Sequence, residues 1–374
     1  MDNIKDTVTN ILKTIVDPYL GSNLVDAGVV KNLTLDHRKI TIDLELGFPT
    51  KTYGPVLKKR VLEEVKDLDD YDLEVNVTST ILTRAVQKGI KPLPEVRNVV
   101  AVASGKGGVG KSTVAANIAC SFSQKGYKVG LLDLDIYGPS LPIILGINES
   151  PQLTQDKKLI PLDWNGLKVL SFGFISGNDS PAIWRGPLVA RMTEQFFRDV
   201  LWGDLDYLIL DLPPGTGDVQ LTLTQKIQIS GAIIVTTPQD IALSDVRKGA
   251  DMFRKVNTPV LGVIENMSGL ILKGIVYDSE KNPLKSGFVE VEEKYNSQID
   301  ENGTFTLTID LFKKGGGERE SQRLGVPLLG KIPLSQTIMD STDAGNPIAF
   351  GSPDNPYSKI FSNIVLQIAK DLGH

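Results

Sequence analysis

The densest chemistry in the chain lies in Ser104-Gly105-Lys106-Gly107-Gly108-Val109-Gly110-Lys111-Ser112-Thr113. A short apolar run, Val99 to Ala103, precedes it and a helical pattern follows. That is the strand–loop–helix setting of a G-x-x-x-x-G-K-[ST] phosphate loop. Glycines let such a backbone curl until its N–H groups face phosphate oxygens, and the helix N-terminus adds a favourable dipole. Lys111 is placed to reach β- and γ-phosphates, the Ser112 hydroxyl to ligate Mg²⁺, and Thr113 and the loop amides to hold phosphate.

Two carboxylate clusters follow apolar runs. Tyr207-Leu208-Ile209-Leu210-Asp211 leads into Leu212-Pro213-Pro214-Gly215-Thr216-Gly217-Asp218. Mg²⁺ in nucleotide sites takes one or two carboxylates beside phosphate oxygens, which makes Asp211 a metal ligand. Gly215 is then positioned to bring a backbone N–H to the γ-phosphate, a contact that depends on hydrolysis. Leu131-Leu132-Asp133-Leu134-Asp135 is the second cluster, serving either the same site or a helix N-cap. The run Val263-Ile264-Glu265-Asn266 ends in an amide that pairs with an adenine edge through one donor and one acceptor. No aspartate of the N/T-K-x-D kind follows to read guanine, so ATP is the expected nucleotide.

Composition narrows the alternatives. The chain has 374 residues, one cysteine (Cys120) and two histidines, His37 and His374. No intrachain disulfide forms, a Cys/His zinc site lacks ligands, and Ser-His-Asp catalysis lacks a suitable histidine. The net charge of −5 gives no basic field for nucleic acid or an anionic membrane. The N-terminus lacks an apolar signal region, and no apolar run spans a bilayer. A cytoplasmic protein, bound to neither nucleic acid nor membrane, is expected. Cys120 itself reads as a small buried core residue.

The elements that position these residues follow from periodicity. Ile4, Val8, Ile11, Leu12 and Ile15 fall at helical spacing. Strands are expected at Val29–Leu35, Ile40–Leu46 and Leu73–Val77, with a helix at about Val56–Val65. Together they make a small α/β domain over residues 1–88, followed by a linker at 89–97. From 98 to 374, continuous apolar runs alternate with helical stretches: Val99–Ala103, Val129–Leu132, Val169–Phe172, Tyr207–Leu210, Ala232–Val235 and Val260–Ile264. Such runs are buried on both faces, as in a doubly wound, mostly parallel sheet, where ligands bind at the strands' carboxyl ends. A β insertion interrupts the rhythm at about 271–311, with strands at Ile271–Tyr277, Phe288–Glu292 and Thr304–Ile309.

The loop with its extra lysine resembles the deviant Walker A motif of the nitrogenase-iron-protein, MinD and ParA superfamily. In that resemblance Lys106 contacts nucleotide across a homodimer, Asp135 orients the attacking water, and Asp133 is a Mg²⁺ partner beyond the direct ligands. Asp135-Ile136-Tyr137-Gly138-Pro139-Ser140, Trp184-Arg185-Gly186-Pro187, the Asp211–Asp218 string, Glu265-Asn266-Met267-Ser268 and Gly315-Gly316-Gly317-Glu318 together resemble Mrp (ApbC-type) iron–sulfur cluster carrier ATPases. Asp17-Pro18, Leu20-Gly21 and Leu24-Val25 resemble the MIP18-like domain fused to many of them. The resemblance implies slow Mg²⁺-dependent ATP hydrolysis, a homodimer with a bridging [4Fe–4S] cluster, and iron–sulfur client or scaffold partners. It also implies a C-x-x-C pair shortly after Met267-Ser268, and this chain has none. Gly54-Pro55 stands where such N-terminal domains often carry Cys-Pro, and Tyr19 where Glu is usual after Asp-Pro. Two functions are therefore expected: an iron–sulfur carrier, or an ATP-switched adaptor that has lost cluster binding and uses the insertion as its binding surface.

Overall fold

A computed structural model describes residues 2–51, 53–68, 70–84, 90, 92–136, 138–176, 195–312 and 314–373, with side chains left aside at 2–3, 175–176, 218–219 and 240–245. The chain forms two compact units. One comprises Met1–Thr83 with the stretches Phe122–Tyr127 and Ala369–His374, and the other Arg84–Ser121 with Lys128–Ile368.

In the first unit, α1 (Asp2–Thr14) precedes β1 (Val30–Asp36), β2 (Lys39–Leu46), α2 (Gly54–Glu64) and β3 (Asp72–Ser79). β1 pairs antiparallel with β2 and β2 parallel with β3. Alternation in β2 sends Ile40, Ile42, Leu44 and Leu46 to a core shared with Val8 and Leu12 of α1 and Leu57 and Val61 of α2. The buried Asp17 carboxylate accepts the Tyr53 hydroxyl and the N–H groups of Tyr19 (2.9 Å) and Leu20 (3.1 Å). It therefore joins the stretch after Asp17-Pro18 to the residue before Gly54-Pro55. His37 sits exposed in the β1–β2 turn with φ 50°.

The second unit is a nine-stranded sheet with helices. Its elements are β4 (Val96–Ala103), α3 (Lys111–Gln124), β5 (Val129–Asp133), α4 (Leu141–Ile144), β6 (Leu162–Trp164), β7 (Leu167–Ser171), β8 (Leu205–Asp211) and α5 (Asp218–Lys226). Then come β9 (Gly231–Thr236), α6 (Asp240–Lys255), β10 (Val260–Ile275), β11 (Phe288–Val291), β12 (Tyr295–Gln298), β13 (Thr304–Ile309), α7 (Gly316–Leu324), β14 (Leu328–Leu334), α8 (Gln336–Asp343) and α9 (Pro356–Asp371). The strand order is β6-β7-β5-β8-β4-β9-β10-β13, with β14 also beside β10. All pairings are parallel except β6–β7 and β10–β13. This is the doubly wound, mostly parallel fold of a P-loop NTPase. β4 lies between β8 and β9, so the order reverses around it and its carboxyl end opens the crevice where ligands bind.

The register places catalytic candidates side by side. Asp211 of β8 pairs with Asp133 of β5 on one side and with Val102 of β4 on the other. Every residue of β5, β8 and β9 is buried, as continuous apolar runs require.

One expectation is corrected. A strand ending at Asn266 and a separate one from Ile271 are instead a single strand, β10. Met267 (φ 55°) and Gly269 (φ +78°) turn the backbone, the register shifts between Asn266 and Leu270, and pairing resumes with β13 from Leu270↔Ile309 to Ile275↔Thr304. Beyond it, β11 and β12 form a separate hairpin. Its turn holds Glu292 and Glu293 at φ 55° and 52°, and the expected strand Phe288–Glu292 ends one residue earlier, at Val291.

Candidate functional site

The phosphate loop leaves β4 at Ser104 and enters α3 at Lys111. Gly108 and Gly110 both hold φ +78°, a region that side chains resist. Space is short at Gly110 too: a Cβ there would lie 2.3 Å from Asn266 Nδ2. That amide donates to the Val109 carbonyl at 2.8 Å, so Asn266 ties β10 to the loop. A cavity of about 330 Å³ is lined by the loop residues Ser104, Lys106, Gly107, Gly108, Val109, Gly110, Lys111, Ser112 and Thr113, and by Asp135, Ser140, Ile143 and Thr342. Gly105, half-buried at the start of the loop, lies outside that lining, as do Asp133, Asp211, Gly215 and Asn266.

The charges are arranged in a buried row. Lys111, 5% exposed, forms an ion pair with Asp211 Oδ1, and its Nζ lies 3.3 Å from Ser112 Oγ. Asp211 is fully buried, and its Oδ2 has no hydrogen-bond partner among the described residues. A buried carboxylate oxygen left unsatisfied is costly, and it is a ready ligand for a hard divalent cation. With the Ser112 hydroxyl close by, the donor set fits Mg²⁺.

Asp133, also fully buried, accepts the Asp135 N–H at 2.9 Å and the Ser171 hydroxyl at 2.8 Å. The next helix, α4, begins only at Leu141 with Ser140 at its N-cap, so Asp133 caps no helix among the described residues. Burial first, and then the neighbouring Asp211 charge, push its pKa up to about 7. Asp135 lies two residues on, almost wholly buried, and is among the residues lining the cavity.

Two expected contacts are engaged inside the chain. Gly215, at φ +101°, donates its N–H to the Ser104 carbonyl at 2.9 Å. Lys106 Nζ donates to Gln239 Oε1 at 2.9 Å. Nearby, the Gln220 amide donates to the Pro213 carbonyl and ties α5 to the turn after β8.

Cys120 lies on α3 with no exposure, and burial pushes its thiol pKa up to about 12. A neutral buried thiol is a poor iron ligand. Where the resemblance places C-x-x-C, this chain runs Gly269–Ile275 as the second half of β10. Trp164 packs on Phe350 with ring centroids 4.8 Å apart, and Trp202 is buried. Trp184-Arg185, Tyr137 and His374 lie outside the described residues.

Ser171 and Gln239 escape the motif reading. Both lie at or just past the carboxyl end of a strand, β7 and β9, and that position was the available signal.

Residues 95–299 and 291–369 match a family model described as NUBPL iron-transfer P-loop NTPase, and residues 5–77 match one described as iron–sulfur cluster assembly protein. The chain is 37% identical over 369 residues to the iron–sulfur cluster carrier protein of Synechocystis sp., covering 97% of this chain and 96% of that one. It is 41% identical over 301 residues to the protein of the same name from Pseudomonas fragi, covering 80% and 94%. Among solved structures, a nucleotide-binding protein from Archaeoglobus fulgidus in complex with ADP is similar at TM-score 0.51 and 32% identity, over 68% of this chain and 88% of that one.

Proposed function

Because the chain belongs to the NUBPL-type iron-transfer P-loop NTPase family, we propose that it is an ATP-hydrolysing iron–sulfur cluster carrier that handles its cargo on thiolates supplied by a partner. One observation carries the ATPase half: at the carboxyl end of one sheet Lys111 pairs with Asp211, Asp211 lies in register beside Asp133, and Lys111 and Asp135 line the cavity around the glycine loop. The carrier half rests on near-full-length relatives named iron–sulfur cluster carrier proteins, which favour this reading over an adaptor without cargo.

The resting contacts define the work of binding. ATP draws Lys111 from Asp211 toward the β- and γ-phosphates, and the loop amides receive the phosphate oxygens. Ser112 and Asp211 would hold Mg²⁺, with Asp133 beside Asp211 as a further acidic partner; when bound, the ion would supply positive charge against the phosphates. Gly215 exchanges the Ser104 carbonyl for a γ-phosphate oxygen. Asp135 orients a water whose oxygen attacks the γ-phosphorus; the bond to the bridging oxygen breaks and ADP leaves. With the γ-phosphate gone, Gly215 returns to Ser104. Asn266 braces the loop through Val109 and offers its remaining amide donor and acceptor to an adenine edge, and Lys106 reaches the nucleotide of a second copy in a homodimer.

The [4Fe–4S] cluster is cargo. It needs thiolates, and the chain offers only buried Cys120. Client or scaffold proteins therefore supply the ligands, in the cytoplasm, and the ATP cycle times their association. Among the described residues no helix is long and apolar enough to cross a membrane.

Asp135→Asn tests the catalytic assignment. Hydrolysis should fall by about a hundredfold or more, with ATP affinity by calorimetry kept within about threefold. Unchanged hydrolysis would remove Asp135 from the mechanism.

A further inference from the structure

Lys106 does not point freely from its loop. Its ammonium donates to Gln239 Oε1 at 2.9 Å, in the same chain and 133 residues away in sequence. The Ser104 hydroxyl donates to the Lys106 carbonyl at 2.9 Å and fixes the backbone from which the side chain leaves. Gln239 is itself well placed. It follows β9 in extended conformation (φ −67°, ψ 132°) and immediately precedes α6, a sixteen-residue helix. Gln239 is half-buried, so the amide is held near the loop and remains reachable by solvent.

We infer that Gln239 is a positioning residue that stores Lys106 on its own subunit, so that release from Gln239 sets how readily two copies become an active pair. This rests on the reading that Lys106 serves the nucleotide of a second copy. A lysine bonded in cis is withheld from a partner's phosphate. A neutral amide suits such storage, because it holds an ammonium through one charge-assisted bond yet yields to a phosphate group carrying full negative charge. A carboxylate at this position would hold more tightly. It would pair with the ammonium and would also be favoured by the positive end of α6. An alanine would hold nothing. The two substitutions therefore push in opposite directions, which a merely structural residue would not do.

The experiment measures ATP hydrolysis against protein concentration for the wild type, Gln239→Ala, Gln239→Glu and Lys106→Ala, with melting temperatures alongside. The wild type should gain specific activity as concentration rises. Gln239→Ala should lower the concentration of half-maximal activity by about fivefold and Gln239→Glu should raise it by about as much. The shift should appear in that concentration rather than in the KM for ATP. Lys106→Ala should lose the concentration-dependent activity. Two Gln239 variants that move the midpoint the same way, or leave it in place while Lys106→Ala is inactive, overturn the storage role and leave the lysine's role standing. A wild type without concentration dependence, or a Lys106→Ala variant as active as the wild type, overturns the across-dimer lysine and the storage role with it.

Discussion

The two halves of β10 differ in burial, in pairing direction and in what they adjoin. Val260–Asn266 is largely buried, pairs in parallel with β9 and β14, and ends in the amide that bonds the phosphate loop. Leu270–Ile275 is largely half-buried or exposed, pairs antiparallel with β13, and leads to the β11–β12 hairpin. The first half reaches the phosphate loop through Asn266. The second occupies the place where the family resemblance puts cluster cysteines. A parallel sheet fixes its strand ends through register with buried neighbours, whereas chain beyond those ends is free to be rebuilt. The half beside the phosphate loop can thus keep its place while the half beyond it is rebuilt.

The largest expected effect falls on the motor. Lys111→Ala should weaken ATP binding by roughly 10²–10³-fold, measured by calorimetric titration, because phosphate loses its only buried ammonium contact in the loop. It should also destabilise the fold by about 3 kcal/mol in denaturant titration, since Asp211 is left buried without its partner. ATP bound with unchanged affinity would show that the site is misassigned.

Asp133 gives the next effect, through pH. Its folded carboxyl holds a proton more tightly than the unfolded one, with a pKa raised from 3.8 to about 7. The folded state therefore binds more protons between about pH 4 and 7, and stability falls as pH rises through that window. The contribution is complete below about pH 4 and has been lost above about pH 7. Asp133→Asn should flatten this slope, on the order of 4 kcal/mol across the window. A slope identical to wild type would exclude the buried proton.

Two smaller effects sharpen the contrast along β10. Asn266→Ala removes the bond to Val109 and should weaken ATP binding by about fivefold, or ~1 kcal/mol. Replacing residues 276–303 with an Asn-Gly turn keeps the Ile275↔Thr304 pair, so the β10–β13 ladder closes as a hairpin. ATP affinity and hydrolysis should then stay within about twofold. A large loss would mean that the insertion supports the motor.

Much of the site was legible in the residues because strand ends are punctuated. Asp133, Asp211 and the glycine loop each close or follow a run of buried apolar residues. The continuation of β10 was not legible. Ser268-Gly269 reads as a stop, and only the partner strand β13, forty residues on in sequence, shows that pairing resumes. The resting partners of Lys106 and Gly215 were hidden for the same reason: Gln239 and the Ser104 carbonyl are brought close by topology and not by spacing. In the first unit, alternation in β2 disclosed the core, but the Asp17–Tyr53 bond joins residues whose pairing no pattern announces.

The most direct test is anaerobic reconstitution of the isolated chain with iron and sulfide, with iron and sulfide counted per monomer and Cys120→Ser run in parallel. A motor whose cargo thiolates reside on a partner should bind no iron above background while still binding ATP, and should show no thiolate-to-iron absorption band. About four irons per dimer, with that band lost in Cys120→Ser, would contradict the account and make Cys120 a cluster ligand.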